Sequence, residues 1–267
     1  MSTPPSPLPP SPLPPQPPPP AAPQAGRLPR RALISGGTSG IGLACAEHLV
    51  SRGDQVWVLG SSEDGVACAL DRIALAGATV CDVSVESEVE EAVADARAAM
   101  GGLDGVFVNA GTDGEGLPAT ELDVGHFRRV LDVNVVGAFL VARAALRSRP
   151  RPSAIVFNAS VNALRPELNF LDYNASKAAV VSMAKSLALE TSASGTSVMA
   201  LCPGYFPTRM TAPYLEEPAT RQELLRRIPA GRFGDLAHIA ALVDFLLSPE
   251  ASFMTGSVVS IDGGSSI

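Results

Sequence analysis

From residue 30 onward the chain alternates short apolar runs with longer stretches of helical pattern, and this alternation limits the folds open to it more than any single residue does. The runs are Ala32-Leu33-Ile34, Val56-Trp57-Val58-Leu59, residues 78–83, Val106-Phe107-Val108, Ile155-Val156-Phe157, residues 198–201 and residues 258–261. Apart from Thr79, Asp82 and Ser260 they are continuously apolar, as strands covered on both faces are, instead of alternating regularly with polar residues. Seven such strands with helices between them predict an α/β chain: a single doubly wound Rossmann-type domain with a seven-stranded parallel sheet. With 267 residues, 46% of them hydrophobic, the chain can fill one such core but not two full domains.

Residues 1–29 have another texture. Thirteen prolines fall in the first 23 residues, including the repeat Ser6-Pro7-Leu8-Pro9-Pro10 and Ser11-Pro12-Leu13-Pro14-Pro15. Proline removes backbone donors, and little apolar surface is present to offset chain entropy, so a disordered, partly polyproline-II tail is expected ahead of a domain spanning 30–267. The tail is read as passive, or as a ligand for proline-recognition modules. It lacks the basic start and apolar run of a secretion signal, and no run elsewhere reaches the length of a membrane span. A cytoplasmic protein without a membrane partner is expected. A net charge of -7, with arginines scattered along the chain, leaves no nucleic-acid footprint. Cys45, Cys68, Cys81 and Cys202 show no paired spacing and read as reduced packing residues. His48, His126 and His238 stand apart, so no metal site is expected.

Ser35-Gly36-Gly37-Thr38-Ser39-Gly40-Ile41-Gly42 follows the first strand directly and opens a helix whose Ile41, Ala44, Cys45 and Leu49 share one face. Glycines let the backbone turn sharply and approach a pyrophosphate, whose charge is met by free N–H groups and the positive end of the helix dipole. The strand before and the helix after lift this loop above a plain glycine turn. Further along, Tyr173 and Lys177 stand at i and i+4, so in a helix they share a face with Cβ atoms about 5–6 Å apart. Alone, the pair is a surface turn or an acid with its tuner: a phenol titrates near ~10, and an adjacent ammonium favours the phenolate. Lys177 is one of only two lysines against eighteen arginines.

The loop resembles the Thr-Gly-x-x-x-Gly-Ile-Gly loop of the classical short-chain dehydrogenases/reductases, and the resemblance continues in order over residues 30–267. Asp82-Val83 follows the third run, Asn109-Ala110-Gly111 the fourth, Asn134 lies in the next helix, and Ser160 follows the fifth run. Tyr173 and Lys177, Pro203-Gly204 with Thr208, and Ile261-Asp262-Gly263-Gly264 complete the series. The resemblance implies that Gly36, Thr38, Ser39, Gly40, Ile41 and Gly42 cradle the pyrophosphate of a nicotinamide cofactor. Asp82 and Val83 would meet the adenine, and Asn109, Ala110 and Gly111 would line the cofactor near its ribose. Thr208 would contact the carboxamide from a loop shaped by Pro203, Gly204 and Phe206. Asp82 read by itself is also a candidate helix cap.

The same resemblance implies a catalytic set. Tyr173 would be the general acid/base, and Lys177 would lower its pKa and hold the nicotinamide ribose. Ser160 would bind the substrate oxygen, and Asn134 would hold a water linking Lys177 to solvent. Cofactor choice turns on the end of the second strand, where an acid would bind the ribose 2'-OH. Gly60 occupies that place, and Ser61 and Ser62 can hydrogen-bond a phosphate, so NADP(H) is favoured over NAD(H) although Glu63 is close by. Two residues depart from the pattern: Val108 stands where a second asparagine is commoner, and Gly37 where alanine is.

The substrate, a small-molecule carbonyl or alcohol, would be bounded by residues 112–116, 161–171 and a lid at 205–228. Asp113, Glu115, Asn162, Glu167 and Asn169 would grip a hydroxylated substrate, with Phe170, Tyr205 and Phe206 as apolar cover. Arg221, Arg226 and Arg227 either attract an acyl-carrier phosphopantetheine or face water. The texture, including Ile228-Pro229-Ala230-Gly231-Arg232-Phe233, is most similar to 3-oxoacyl-carrier-protein reductases. Three readings follow: a ketone or acyl reductase, a dehydrogenase of a sugar, polyol or other secondary alcohol, or a non-catalytic nucleotide-binding interaction protein. The alanine-rich helices near 123–148 and 173–194 suit subunit packing, and the family habit implies a homotetramer.

Overall fold

The computed structural model describes residues 28–267. The expected proline-rich tail lies outside the described residues except for Leu28 and Pro29, which carry no regular structure. Strands β1 (Arg31–Ser35), β2 (Gln55–Gly60), β3 (Gly77–Val80), β4 (Gly105–Val108), β5 (Ala154–Asn158), β6 (Ser197–Pro203) and β7 (Val258–Ile261) form one parallel sheet. Their order is β3-β2-β1-β4-β5-β6-β7, so the chain reverses its winding direction between β1 and β4. Helices α1 (Gly40–Ser51), α2 (Glu63–Arg72), α3 (Glu86–Met100), α4 (Val124–Leu131), α5 (Ala138–Arg147), α6 (Leu171–Thr191), α7 (Ala212–Glu216), α8 (Pro218–Arg226) and α9 (Leu236–Leu246) connect and cover the strands.

The apolar runs explain the double winding. Successive strand side chains point to opposite faces. Leu33, Leu59, Val106, Ile155 and Phe157 join one core with α3, α5 and α6, whereas Ile34, Val58, Phe107 and Val156 join a second core with α1 and α9. α3 contributes Val89, Ala92, Val93 and Ala96, the spacing of one helical face. Phe107 and Phe157 are fully buried and each contributes about 2–3 kcal/mol of apolar burial. At the edge remote from the cleft, Arg30 ties the start of β1 to the start of β2 and to α9 through Asp54 (2.8 Å) and Asp244.

Three local features differ from expectation. The run at 78–83 is only partly strand: β3 ends at Val80, and beyond it Cys81 and Val83 are apolar because they pack with α3 and α5, while Asp82 between them is exposed. The long helix expected near 123–148 is broken by a π-turn, Asp132–Gly137, between α4 and α5. Here Gly137 passes so close to Val83 that a Cβ would lie 2.8 Å from its Cγ2. Cys68 is exposed on α2, so of the four cysteines only Cys45, Cys81 and Cys202 are packing residues.

Candidate active site

The carboxyl ends of β1, β2, β4, β5 and β6 frame a cleft of about 620 Å³ at the switch in winding direction, the place where open α/β sheets bind ligands. Its floor is the glycine loop. Gly36 and Gly40 have left-handed backbone (φ 65° and 53°), and a Cβ on Gly36 would lie 2.8 Å from the Cα of Ala110. A Cβ on Gly42 would lie 2.2 Å from the carbonyl oxygen of Gly36, and one on Gly37 would lie 2.6 Å from Val58 Cγ1. The departure at Gly37 is therefore matched by the bulk of Val58.

Hydrogen bonds lock the loop to its neighbours. Ser35 Oγ accepts from the N–H groups of Asn109 (3.0 Å) and Ala110 (3.2 Å). Asn109 Nδ2 donates to the carbonyls of Ser35 (3.1 Å) and Gly36 (3.0 Å), and its Oδ1 accepts from Asn158 Nδ2 (2.8 Å). At the start of α1, Ser39 makes no side-chain cap and the first turn carries no acid. Its leading N–H groups point into a glycine-lined cleft, the donor set a pyrophosphate needs. The residues present thus fit a nicotinamide dinucleotide.

Of the catalytic and cofactor-binding residues singled out in the sequence, all but Gly42, Gly60, Ser62 and Asn134 line this cleft. Gly42 lies beneath the loop, and Gly60 lies behind Thr38, whose Cγ2 a Cβ would meet at 2.4 Å. Ser62 caps α2 by accepting from Gly65 N–H (3.3 Å). Asp82 does not cap α3; its Oδ1 accepts from the N–H (2.9 Å) and hydroxyl (2.7 Å) of Ser84. Phe206 is 4% exposed, with its ring in the α9-side core against Gly234, so it gives the substrate no cover.

Ser160, Tyr173 and Lys177 converge where the cleft meets a second cavity of about 530 Å³. Ser160 follows β5 and holds its own turn by accepting from Asn162 N–H (3.2 Å). Tyr173 and Lys177 lie on α6, with Nζ 5.5 Å from the phenol ring centroid and donating to the Asn158 carbonyl at 3.0 Å. Burial brings the Lys177 ammonium down to about 8. Burial also pushes the Tyr173 phenol well above its usual range, the Asp113 carboxylate adds to this, and the Ser160 hydroxyl opposes it. The same burial disfavours the charged form of both groups, and the Lys177 ammonium stands beside the phenol it is expected to tune.

Asn134, buried in the π-turn, spends its side-chain amide on the fold. Nδ2 donates to the Thr112 carbonyl and to Ser176 Oγ, both at 3.0 Å, and Oδ1 accepts from Thr112 N–H at 2.8 Å. This clamps the loop after β4 onto α6. Gly111 permits the approach, since a Cβ there would lie 3.1 Å from Asn134 Oδ1 and 3.3 Å from Lys177 Nζ.

The second cavity includes Asp113, Asn162, Glu167, Phe170 and Tyr205 from the expected set, but not Glu115 or Asn169. Arg227 reaches it already paired with Glu167 (3.0 Å) and Glu223 (3.2 Å). Arg226 pairs with Glu223 (2.7 Å), and the Arg221 guanidinium lies 5.5 Å from the ring centroid of Phe233. Sequence reasoning missed Tyr214, Arg209 and Asp172. Tyr214 bonds Asp113, 101 positions away, and Arg209 lies on the rim of the cleft. Fully buried Asp172 accepts from Tyr173 N–H (2.8 Å) and Glu115 N–H (3.1 Å), with His126 Nε2 3.4 Å away. Only Arg209 had a local signal, its place beside Thr208.

A family model described as enoyl-(acyl carrier protein) reductase matches residues 36–266. Glucose 1-dehydrogenase of Gluconobacter oxydans is 30% identical over 243 residues, which cover 88% of this chain and 91% of that protein. The 2,5-dichloro-2,5-cyclohexadiene-1,4-diol dehydrogenase of Sphingobium indicum is 36% identical over 237 residues (87% and 95%). Among solved structures, a variant of actinorhodin polyketide ketoreductase with NADPH superposes with a TM-score of 0.84 at 30% identity, covering 89% of this chain and 97% of that one. The 3-ketoacyl-(acyl-carrier-protein) reductase from Brucella melitensis with NADH gives 0.80 at 32% identity (88% and 98%).

Proposed function

This chain belongs to the short-chain dehydrogenase/reductase family, and from that premise we propose how it works as a nicotinamide-dependent oxidoreductase of carbonyls and secondary alcohols. The observation that carries the reading is that Ser160 and Tyr173 stand at the seam between the dinucleotide cleft and the second cavity, with Lys177 beside Tyr173 on the cleft side. When bound, a nicotinamide would supply or accept the hydride and, when oxidised, would add a positive charge that favours the phenolate. Tyr173 gives the proton to the forming alkoxide in reduction and takes it from the alcohol in oxidation. Ser160 Oγ donates to the substrate oxygen as charge builds there. Lys177 adds positive charge beside the phenol and holds the ribose, while Asn134 acts as a positioning residue through Thr112 and α6.

NADP(H) is the proposed physiological cofactor. No acid stands at the end of β2, Ser61 faces the cleft, and Arg209 supplies a cation on its rim. Residues 205–228 are proposed to act as the lid of one catalytic domain spanning 30–267. The proposed assembly is a cytoplasmic homotetramer, supported by Val136, Phe139 and Leu189 exposed on the helices expected to pack between subunits.

A second reading, a dehydrogenase of a sugar, polyol or other hydroxylated substrate, is supported by the glucose and diol dehydrogenases among the relatives. The pairing of Arg227 with two glutamates argues against a phosphopantetheine dock. Tyr173→Phe tests the mechanism in a cofactor-absorbance assay over a carbonyl and alcohol panel. Turnover should fall about 10²–10⁴-fold with cofactor affinity retained; undiminished turnover refutes the assignment.

A further inference from the structure

The seam between the two cavities contains a third polar group besides Ser160 and Tyr173, the carboxylate of Asp113. Its Oδ2 accepts from Tyr214 Oη at 2.9 Å and its Oδ1 from Gly114 N–H at 2.9 Å. An ionised carboxylate accepts at about four lone-pair sites, so acceptor capacity remains. Among the described residues no arginine, lysine or histidine forms an ion pair with it. The other carboxylate at this level, Glu167, is engaged by Tyr205 Oη (3.1 Å) and by the Arg227 guanidinium (3.0 Å). Asn162 is engaged as well, donating to Asn174 Oδ1 at 3.0 Å.

The position of Asp113 is held from both sides. The Tyr214 ring meets Phe170 edge to face, with centroids 6.2 Å apart at 67°. Phe170 in turn closes on the loop, since a Cβ on Gly114 would lie 3.0 Å from its ring. Val161, Met210, Leu215 and Leu224 add carbon contacts to the wall, while Glu223 is paired with Arg226 and Arg227, Thr211 donates its hydroxyl to the Phe206 carbonyl, and Thr220 adds a hydroxyl. A compact carbon skeleton would therefore lie against a largely apolar wall, with its reacting oxygen at Ser160 and Tyr173 and beside it one rigid acceptor, which feels the Lys177 ammonium without a direct ion pair.

We propose that Asp113, held by Tyr214, is a specificity-determining residue that accepts a hydrogen bond from a second hydroxyl of the substrate, so that the enzyme selects diols and hydroxyketones over mono-functional analogues and rejects anionic ones. This assignment rests on the oxidoreductase reading above and deepens its polyol branch. A site built to bond a hydroxyl discriminates strongly against the analogue lacking it, because the buried acceptor is then left without its donor. The charge of Asp113 also reaches the reacting phenol, which it pushes upward.

The test uses the full chain with NADP+ or NAD+, and compares cis-1,4-cyclohexanediol with cyclohexanol and with cyclohexanecarboxylate as an inhibitor. The wild type should favour the diol in kcat/KM by about 10-fold or more, and bind the carboxylate least. Asp113→Leu should bring the diol-to-mono-alcohol ratio toward one, and Tyr214→Phe should lower it partway. Asp113→Asn, which keeps size and polarity, should also shift the rising limb of the oxidation pH profile to lower pH, an effect that a merely structural role would not produce. A wild type without the diol preference, or a preference surviving both Asp113 variants, overturns the assignment while the oxidoreductase reading stands. Turnover of other secondary alcohols but neither ring alcohol overturns it too. Full turnover in Tyr173→Phe instead strikes the underlying mechanism.

Discussion

Lys177 should make the protein less stable near neutrality than it would be without the charge, and Lys177→Met measures by how much. The side chain is 4% exposed and its ammonium is drawn from 10.5 down to about 8. At 1.36 kcal/mol per decade, that displacement corresponds to about 3 kcal/mol against the charged form. Between about pH 8 and pH 10.5 the unfolded chain binds the proton that the folded chain has released. Stability therefore rises with pH across that window, and the penalty is nearly complete by pH 7. Methionine removes it but strips the Asn158 carbonyl of its 3.0 Å donor, a loss of about 1 kcal/mol that does not depend on pH.

The expected net gain is about 2 kcal/mol at pH 7, shrinking to about 0.5 kcal/mol at pH 9.5, where somewhat more than half of the titration penalty is already gone. Urea unfolding followed by Trp57 fluorescence at one fixed protein concentration, repeated at the two pH values, reads both quantities. The gain at pH 7 corresponds to a Tm about 4–8 °C higher, alongside lost turnover. A variant no more stable than the wild type at pH 7, or a gain that ignores pH, would refute the view that burial governs this amine.

Ser61→Asp places a carboxylate at the end of β2, where it repels a 2'-phosphate by about 1–4 kcal/mol at close range. NADPH affinity should drop about 10-fold or more by fluorescence titration while NADH affinity holds; an unchanged ratio counts against the proposed cofactor preference. Gly42→Ala forces a Cβ to within 2.2 Å of the Gly36 carbonyl. Dinucleotide affinity should weaken about 10-fold or more with the circular dichroism of the fold retained, and an unchanged Kd would mean that the loop yields freely.

The strands were legible because the interior ones, buried on both faces, are apolar through their centres, and each of the seven runs overlaps a strand. The ends were less legible. Cys81 and Val83 are as apolar as β3 itself, but they serve the helices above the sheet and not the ladder. The π-turn left no mark, since a helix widened over six residues keeps nearly the same apolar spacing. Among site residues, Tyr173 and Lys177 could be paired from helical periodicity, but the sign of the burial effect could not, because it depends on what α6 packs against. Tyr214 was out of reach for a related reason: its partner Asp113 comes from the loop after β4, 101 positions away and with β5 lying between β4 and β6 in the sheet. Asn109 could be assigned to the cleft, but its use as a strut between β1 and β5 requires three strand ends to be seen together.

The crowding under the glycine loop also sets how this enzyme can be altered. Gly36, Gly37, Gly42 and Gly60 each have a neighbour within 2.8 Å of where a first side-chain carbon would go, so the floor admits almost no new chemistry. Ser61 and Arg209 stand on the rim, exposed. A library aimed at changing coenzyme use should therefore hold the floor constant and randomise the rim, where most variants will still fold and the screen will report on recognition.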